Sequence, residues 1–108
     1  MIKAKIYVSD SGNIVGFDIS GHSGFSESGT DIVCAAVSSA AYMAVNTLTE
    51  VLKADVDVDL NDKLGIMRAL VHEKDIFRCS DILNGFKMHL ILLEEMYSKN
   101  IKVDYVEV

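Results

Sequence analysis

A histidine and a cysteine stand twelve positions apart, at His22 and Cys34, with a glycine-rich segment between them. A cysteine attacks a carbonyl carbon as a thiolate, and a neighbouring histidine can take up the thiol proton and hold the resulting ion pair. The apolar sequence that follows Asp31 predicts a helix, which places Cys34 in its first turn. Unpaired N–H groups and the helix dipole stabilise an anion there. The pair is therefore a candidate for nucleophilic catalysis on a bound peptide.

Three further residues support this candidate site. Asp31 stands at the predicted N-cap, where its carboxylate can accept the N–H groups two and three residues on. Donors at the same helix start could bind an oxyanion, except those that Asp31 already engages. Ser38 lies one turn beyond Cys34 on the same face and could bond His22, a loop carbonyl or its own helix. Gly21 is expected to adopt a backbone shape that a Cβ would forbid.

The same residues also admit readings without catalysis. Cysteine is among the most often buried residues, and an apolar helix buries one routinely, so spacing alone leaves Cys34 either catalytic or structural. A glycine loop before a helix can also bind phosphate. That third reading is weaker, because no Gly-Lys-Ser/Thr sequence follows and the segment carries Glu27 and Asp31.

The other reactive side chains are predicted to be structural. Cys79 lies on the apolar stripe of a second predicted helix, which favours core packing. His72 and His89 have no partner at metal-ligand spacing, so we expect surface positions and neither a metal nor another cofactor. Phe25, in the glycine-rich segment, is an aromatic residue that a core explains poorly, and it is a candidate for substrate contact.

Alternating apolar and polar residues predict a β-hairpin over residues 2–21, two strands over about 56–60 and 64–72, and a last strand from Ile101. Helical spacing predicts one helix from Asp31 to about Lys53 and another that starts between Asp75 and Ser80. The order β-β-α-β-β-α-β predicts an α+β fold, a two-layer sandwich with a mainly antiparallel sheet and both helices on one face. No linker is visible, so residues 1–108 are expected to form a single domain.

The composition narrows the possible partners. The chain has 108 residues, 50% of them hydrophobic, and 16 acidic against 10 basic side chains give a net charge of −6. This acidity argues against direct binding of nucleic acid, which needs clustered cations. We found no apolar run of the length of a membrane span and no signal-peptide pattern at the N-terminus, which predicts a cytoplasmic protein with free thiols.

The segment GHSGFSESGTDIVCAAVS resembles the signature of the ribosomal-processing cysteine proteases, the Prp family. In that family the pattern runs Gly-His-Ala-Gly, a short variable loop and then Gly-x-Asp-Ile-Val-Cys-Ala-Ala-Val-Ser. Ser23 replaces the common alanine. The matching residues are Gly21, His22, Gly24, Gly29, Asp31, Ile32, Val33, Cys34, Ala35, Ala36, Val37 and Ser38.

The resemblance implies a cytoplasmic cysteine endopeptidase with Cys34 as nucleophile and His22 as general base and later acid. It implies removal of the N-terminal extension of a large-subunit ribosomal protein, with cleavage after a hydrophobic segment that ends in aromatic residues. It also implies a homodimer and a loop that orders over the substrate. The alternative from a different class is a non-catalytic, ribosome-associated binding module in which Cys34 is structural.

Overall fold

Seven main elements follow the predicted order. The computed structural model describes residues 1–22, 31–61 and 65–108. The elements are β1 (Ile2–Val8), β2 (Ile14–Ser20), α1 (Ile32–Asn46), β3 (Val56–Asn61), β4 (Ile66–Val71), α2 (Ser80–Met96) and β5 (Ile101–Glu107). This confirms the predicted α+β fold, because period-two alternation of apolar residues specifies each strand and helical spacing specifies each helix.

The five strands form one sheet in the order β3-β4-β2-β1-β5. Three of the four neighbouring pairs are antiparallel, and β1 with β5 is parallel, from Ile2 opposite Ile101 to Val8 opposite Glu107. The sheet is therefore mixed but mainly antiparallel. Its two edges are β3 and β5.

Both helices cover one side of the sheet, which we call the helix face. Phe17 on β2 and Phe86 on α2 stack with ring centroids 4.5 Å apart. One hydrophobic core joins residues of both helices to inward-facing residues of the strands. Offset or tilted aromatic pairs of this kind add to the burial energy of the core. The helix face is therefore where the chain buries most of its apolar surface.

Helix α1 begins at the predicted N-cap Asp31 and buries five residues at helical spacing: Val33, Val37, Ala41, Ala44 and Val45. Of the two candidates for the buried face, Ala44 is buried, whereas Met43 is 58% exposed. A π-helical turn, Thr47–Val51, follows α1 without a break. The chain therefore stays helical close to the predicted end at Lys53.

The helical stretch Ile32–Val51 corrects one sequence-based expectation. It spans 20 residues and contains an 18-residue window with a mean hydropathy of 1.5, which satisfies the length and composition of a membrane span. The sequence shows no continuous apolar run there, because polar serine and threonine residues interrupt it. A core helix of a globular protein passes the same test, and the buried stripe of α1 packs into the core described above.

The opposite side of the sheet, the open face, carries a buried carboxylate. Asp18 is 7% exposed and accepts two hydrogen bonds from Arg68, the shorter 2.7 Å long. The hydroxyl of Tyr7 also donates to Asp18 at 3.3 Å. A buried carboxylate is tolerated when such donors surround it. Burial is also the main reason why the pKa of Tyr7 is raised.

Candidate active site

A pocket of about 240 Å³ lies on the helix face, between α1 and the end of the sheet where β2 and β3 stop and β4 begins. Both residues of the predicted pair line it. The thirteen lining residues are Ile2, Ile19, Gly21, His22, Cys34, Val37, Ser38, Ala41, Tyr42, Asn61, Gly65, Ile66 and Met67. The fold therefore brings His22 and Cys34 to one cavity.

Asp31 fixes the start of the helix that carries Cys34. One oxygen of its carboxylate, Oδ1, accepts the backbone N–H groups of Val33 and Cys34, each at 3.0 Å. Asp31 is itself buried, at 7% exposure, so this cap is shielded from water. Cys34 is half-buried and lines the pocket from the first turn of the helix, as the spacing predicted.

This cap restricts how the site could bind an oxyanion. The sequence suggested free donors at the helix start, but the N–H groups of Val33 and Cys34 are bonded to Asp31, and the N–H of Ala35 donates to the Asp31 carbonyl at 3.1 Å. A donor that is already engaged cannot also hold a developing negative charge. These three N–H groups are therefore engaged, and for Val33 and Cys34 this is the exception that the Asp31 cap already implied.

Two glycines with positive φ angles lie next to His22, Gly21 in sequence and Gly65 in space. Gly21 has φ +86°, and a Cβ on it would lie 2.6 Å from the carbonyl oxygen of Met1. Gly65, at the start of β4, has φ +62°, and its Cβ would lie 3.4 Å from Cε1 of His22. The imidazole therefore lies against a residue that has no side chain, and the predicted backbone role of Gly21 is present in the structure.

One stripe of α1 forms the helical wall of the pocket. Ser38 follows Cys34 by four residues, and Ala41 and Tyr42 follow Ser38 by three and four, so the four residues share one side of the helix. Ser38 is exposed and lies one turn beyond Cys34, as predicted. Tyr42 is 40% exposed and adds a phenol ring one further turn along. The wall thus offers a thiol and two hydroxyl groups to a bound molecule.

Sequence reasoning missed Tyr42, Asn61 and Gly65. Tyr42 reads as one more apolar helix residue, Asn61 as a turn residue and Gly65 as part of the strand predicted over about 64–72. Nothing in their local sequence reveals that α1 and β2 lie beside them. The one sequence signal for these residues was the predicted turn between β3 and β4, because it leads into the strand that pairs with β2. The predicted substrate contact at Phe25 lies outside the described residues.

The remaining candidates lie away from the pocket. Cys79 is fully buried, as predicted, and burial raises the pKa of its thiol, with the charge of Asp75 as the second cause. His72 is exposed, and its Nε2 lies 3.0 Å from Asp57. His89 is also exposed. Over residues 1–22, 31–61 and 65–108, no three side chains of His, Cys, Asp or Glu come together as a metal site.

Comparison with known proteins identifies a family that covers nearly the whole chain. Residues 1–102 match the family described as cysteine protease Prp. The ribosomal processing cysteine protease Prp of Staphylococcus aureus (strain Mu50 / ATCC 700699) is 29% identical over 97% of this chain and 99% of its own length. The protein of the same description from Bacillus subtilis (strain 168) is 27% identical over 95% of this chain and 96% of its own length.

The three-dimensional match is close. The crystal structure of an essential ribosomal processing protease Prp from S. aureus, in complex with a covalently linked product peptide, superimposes with a TM-score of 0.91 at 28% identity. The match covers 98% of this chain and 100% of that one. Because the family match extends over nearly the whole sequence and the fold agrees, this chain belongs to the cysteine protease Prp family and is an enzyme of that class.

Proposed function

We propose that this protein is a cytoplasmic endopeptidase that removes the N-terminal extension of a large-subunit ribosomal protein, cutting after a hydrophobic segment that ends in aromatic residues. The observation that carries the proposal is the shared pocket of His22 and Cys34 in a chain of the Prp family. The relatives from S. aureus and B. subtilis are described as ribosomal processing proteases, which supports the choice of substrate.

In the proposed mechanism, His22 takes the proton of the Cys34 thiol, and the sulfur attacks the scissile carbonyl carbon. The tetrahedral intermediate collapses when the C–N bond breaks and the protonated imidazole gives its proton to the leaving amine. The acyl group is then bound to sulfur as a thioester. Water, deprotonated by the neutral imidazole, attacks the thioester and releases the new C-terminus and the thiol.

Asp31, Gly21 and Ser38 have supporting roles in this proposal. Asp31 fixes the helix start, so that Cys34 lines the pocket from the first turn of α1. Gly21 permits the turn that leads to His22. Ser38 contributes a hydroxyl group to the wall on which the substrate would rest. Phe25 is retained as a substrate contact. No cofactor takes part in these steps.

The same proposal includes the state of the protein in the cell. We expect residues 1–108 to act as one protease domain and as a homodimer, with neither direct contact with nucleic acid nor insertion into a membrane. The net charge of −6 favours a basic substrate over a nucleic acid. Sedimentation equilibrium of the purified protein would distinguish a dimer from a monomer.

The test is incubation of the purified protein with the extended ribosomal protein of the same organism, followed by intact-mass measurement. Wild type should produce one new N-terminus, whereas Cys34→Ala and His22→Ala should each produce none and stay folded. Cys79→Ala is the matched control, since it removes the other thiol of the chain. Turnover by Cys34→Ala that equals wild type would contradict the assignment of the nucleophile.

A further inference from the structure

The edge strand β3 is more exposed than its sequence pattern predicts. Val58 and Leu60 lie opposite Ala69 and Met67 of β4, whose side chains are buried on the helix face. Their own side chains nevertheless are 38% and 46% exposed. Two apolar side chains therefore point to the helix face at the edge of the sheet, where they remain partly open to solvent.

The backbone of β3 has no neighbouring strand on its outer edge in the described part of the chain. The N–H of His72 donates to the carbonyl of Asp55 at 2.8 Å, while the N–H of Asp55 donates to the carboxylate of Asp75. The bond from His72 marks these two residues as a hydrogen-bonded position of the antiparallel ladder. Hydrogen-bonded and non-hydrogen-bonded pairs alternate along an antiparallel ladder. Val58 and Leu60 therefore belong to non-hydrogen-bonded pairs, and their N–H and C=O groups point away from β4. Such an edge is a template for another strand.

The open face of β3 has the opposite character, because it carries the carboxylates of Asp57 and Asp59, which alternate with Val58 and Leu60. The cation opposite Asp59 in the register is Arg68, which is bonded to Asp18 at 2.7 Å. A peptide strand beside β3 would therefore meet apolar side chains on one face and carboxylates on the other.

This edge leads into the candidate active site. Asn61, the last residue of β3, lines the pocket together with His22 and Cys34. At about 3.3 Å per residue, the strand from Val56 to Asn61 extends roughly 17 Å away from the pocket. That length accommodates about five residues of an extended peptide.

We propose that the substrate peptide binds as an additional strand along β3, hydrogen-bonded to the backbone of Val58 and Leu60, and enters the pocket at Asn61. Main-chain bonds supply the affinity, and alternate side chains supply the selectivity. Positions on the helix face accept apolar residues against Val58 and Leu60. On the open face, a basic residue is accepted beside Asp59, because Asp57 already pairs with His72 at 3.0 Å. This inference rests on the proposed function and specifies how the substrate is bound.

Amide hydrogen exchange tests the contact directly. Cys34→Ala is mixed with the N-terminal extension of the ribosomal protein as a synthetic peptide, and exchange is followed by NMR. The amides of Val58 and Leu60 should exchange at least about ten-fold more slowly with peptide, because each gains a hydrogen bond. Tyr105 on β5 is the control. The N–H of Val103, two residues earlier on β5, points away from β1 and donates to Glu94. The N–H of Tyr105 points in the same direction, and its exchange rate should not change when peptide is added.

Two variants test the same contact through kinetics. Val58→Pro removes an N–H that faces outward and leaves the ladder to β4 intact, a position where an edge strand tolerates proline. It should raise KM roughly three- to ten-fold with little change in kcat, the loss expected for one hydrogen bond. Tyr105→Pro, at the equivalent outward position of the opposite edge, should leave KM unchanged.

Asp59→Lys tests the charge preference and does not depend on proline being tolerated. Two designed peptides serve as competitors, one alternating leucine with lysine and the other leucine with glutamate. Wild type should prefer the lysine peptide, and Asp59→Lys should reverse the order. Asp104→Lys makes the same charge change on the open face of β5 and should leave the preference as in wild type.

The outcomes separate this inference from the proposed function. If wild type cleaves the ribosomal protein while the amides of Val58 and Leu60 keep their exchange rates, the edge-strand proposal is wrong and the protease function stands. If wild type cleaves nothing while peptide protects both amides, the edge strand binds peptide and the proposed function fails.

Discussion

The carboxylate of Asp31 accepts the backbone N–H of Cys34 at 3.0 Å, so the residue that ends the glycine-rich segment also holds the candidate nucleophile. The bond stabilises the helix start and sets the direction of the thiol. It also engages a donor that would otherwise be available to an oxyanion. Stability and catalysis are therefore coupled at Asp31, and variants of this residue can separate them.

We expect Asp31→Ala to lower the free energy of unfolding by about 0.5–2 kcal/mol, the usual cost of a lost N-cap. Cleavage should fall as well, because Cys34 loses its fixed position. Asp31→Asn keeps an oxygen that can accept the same N–H groups, so it should restore most of the stability. Urea denaturation and kcat/KM of the three proteins provide the measurement. Full activity in a destabilised Asp31→Ala would show that the cap serves folding alone.

Gly65→Ala should impair cleavage because its Cβ would contact the imidazole of His22, at 3.4 Å from Cε1, and restrict the movement of the ring during proton transfer. The substitution also places alanine at φ +62°, which costs about 1–2 kcal/mol in the left-handed region. Gly12→Ala is the matched control: it has φ +84° and nothing within 4 Å of the new Cβ. Both variants should lose similar stability in urea denaturation, but only Gly65→Ala should lose activity. Equal activity of the two would contradict a role for the close approach to His22.

The thiols of Cys34 and Cys79 should differ in their reactivity towards alkylating reagents and in the consequence of their removal for cleavage. Burial raises the pKa of Cys79, so an alkylating reagent near neutral pH should label Cys34 first, which peptide mass spectrometry would locate. Cys79→Ala should lower the free energy of unfolding by about 1–3 kcal/mol through a small core cavity, with cleavage retained. Preferential labelling of Cys79 would contradict this assignment.

His72 should make the stability depend on pH. The hydrogen bond to Asp57 and the charge of Asp55 raise the pKa of His72 above its ordinary value of 6.5. The native protein therefore binds the proton more tightly than the unfolded chain does. The stabilisation is complete below about pH 6.5 and is lost as the pH rises through the raised pKa.

The variant His72→Gln should accordingly be less stable than wild type in mildly acidic buffer and equally stable in alkaline buffer. Urea denaturation at both pH values would show the difference. Asp57→Asn, which removes the carboxylate that contributes most to the raised pKa, is the control background: in it, the effect of His72→Gln should depend much less on pH. A His72→Gln effect that grows as the pH rises would refute the sign of the argument.

Much of the fold could be predicted because it depends on local periodicity. The stripe from Cys79 through Leu83, Phe86, Leu90 and Leu93 is buried as its spacing indicated. The parallel pairing of β1 with β5 could not be predicted, since it joins Ile2 to Ile101 and no nearby residue specifies it. The exposure of Val58 and Leu60 has the same origin, because alternation predicts a face but not whether a helix covers it.

The residues of the candidate site also fall into two groups, those that local sequence predicts and those that depend on tertiary packing. His22, Cys34 and Asp31 could be found because their chemistry depends on residue type and on one helix start. Tyr42, Asn61 and Gly65 enter the pocket only through the packing of α1 against the end of the sheet. The engagement of the Cys34 N–H by Asp31 was foreseen as a possibility, and only the geometry decided it.

The pairing of Ile2 with Ile101 has a consequence for the order in which the enzyme is made. Ile2 lines the pocket, yet its strand gains a neighbour on one side only after β5 has been synthesised. A nascent chain emerges N-terminus first, and contacts between distant residues form slowly. One wall of the pocket is therefore completed only after β5 has been synthesised, and we expect the pocket to form after the β1–β2 hairpin has paired.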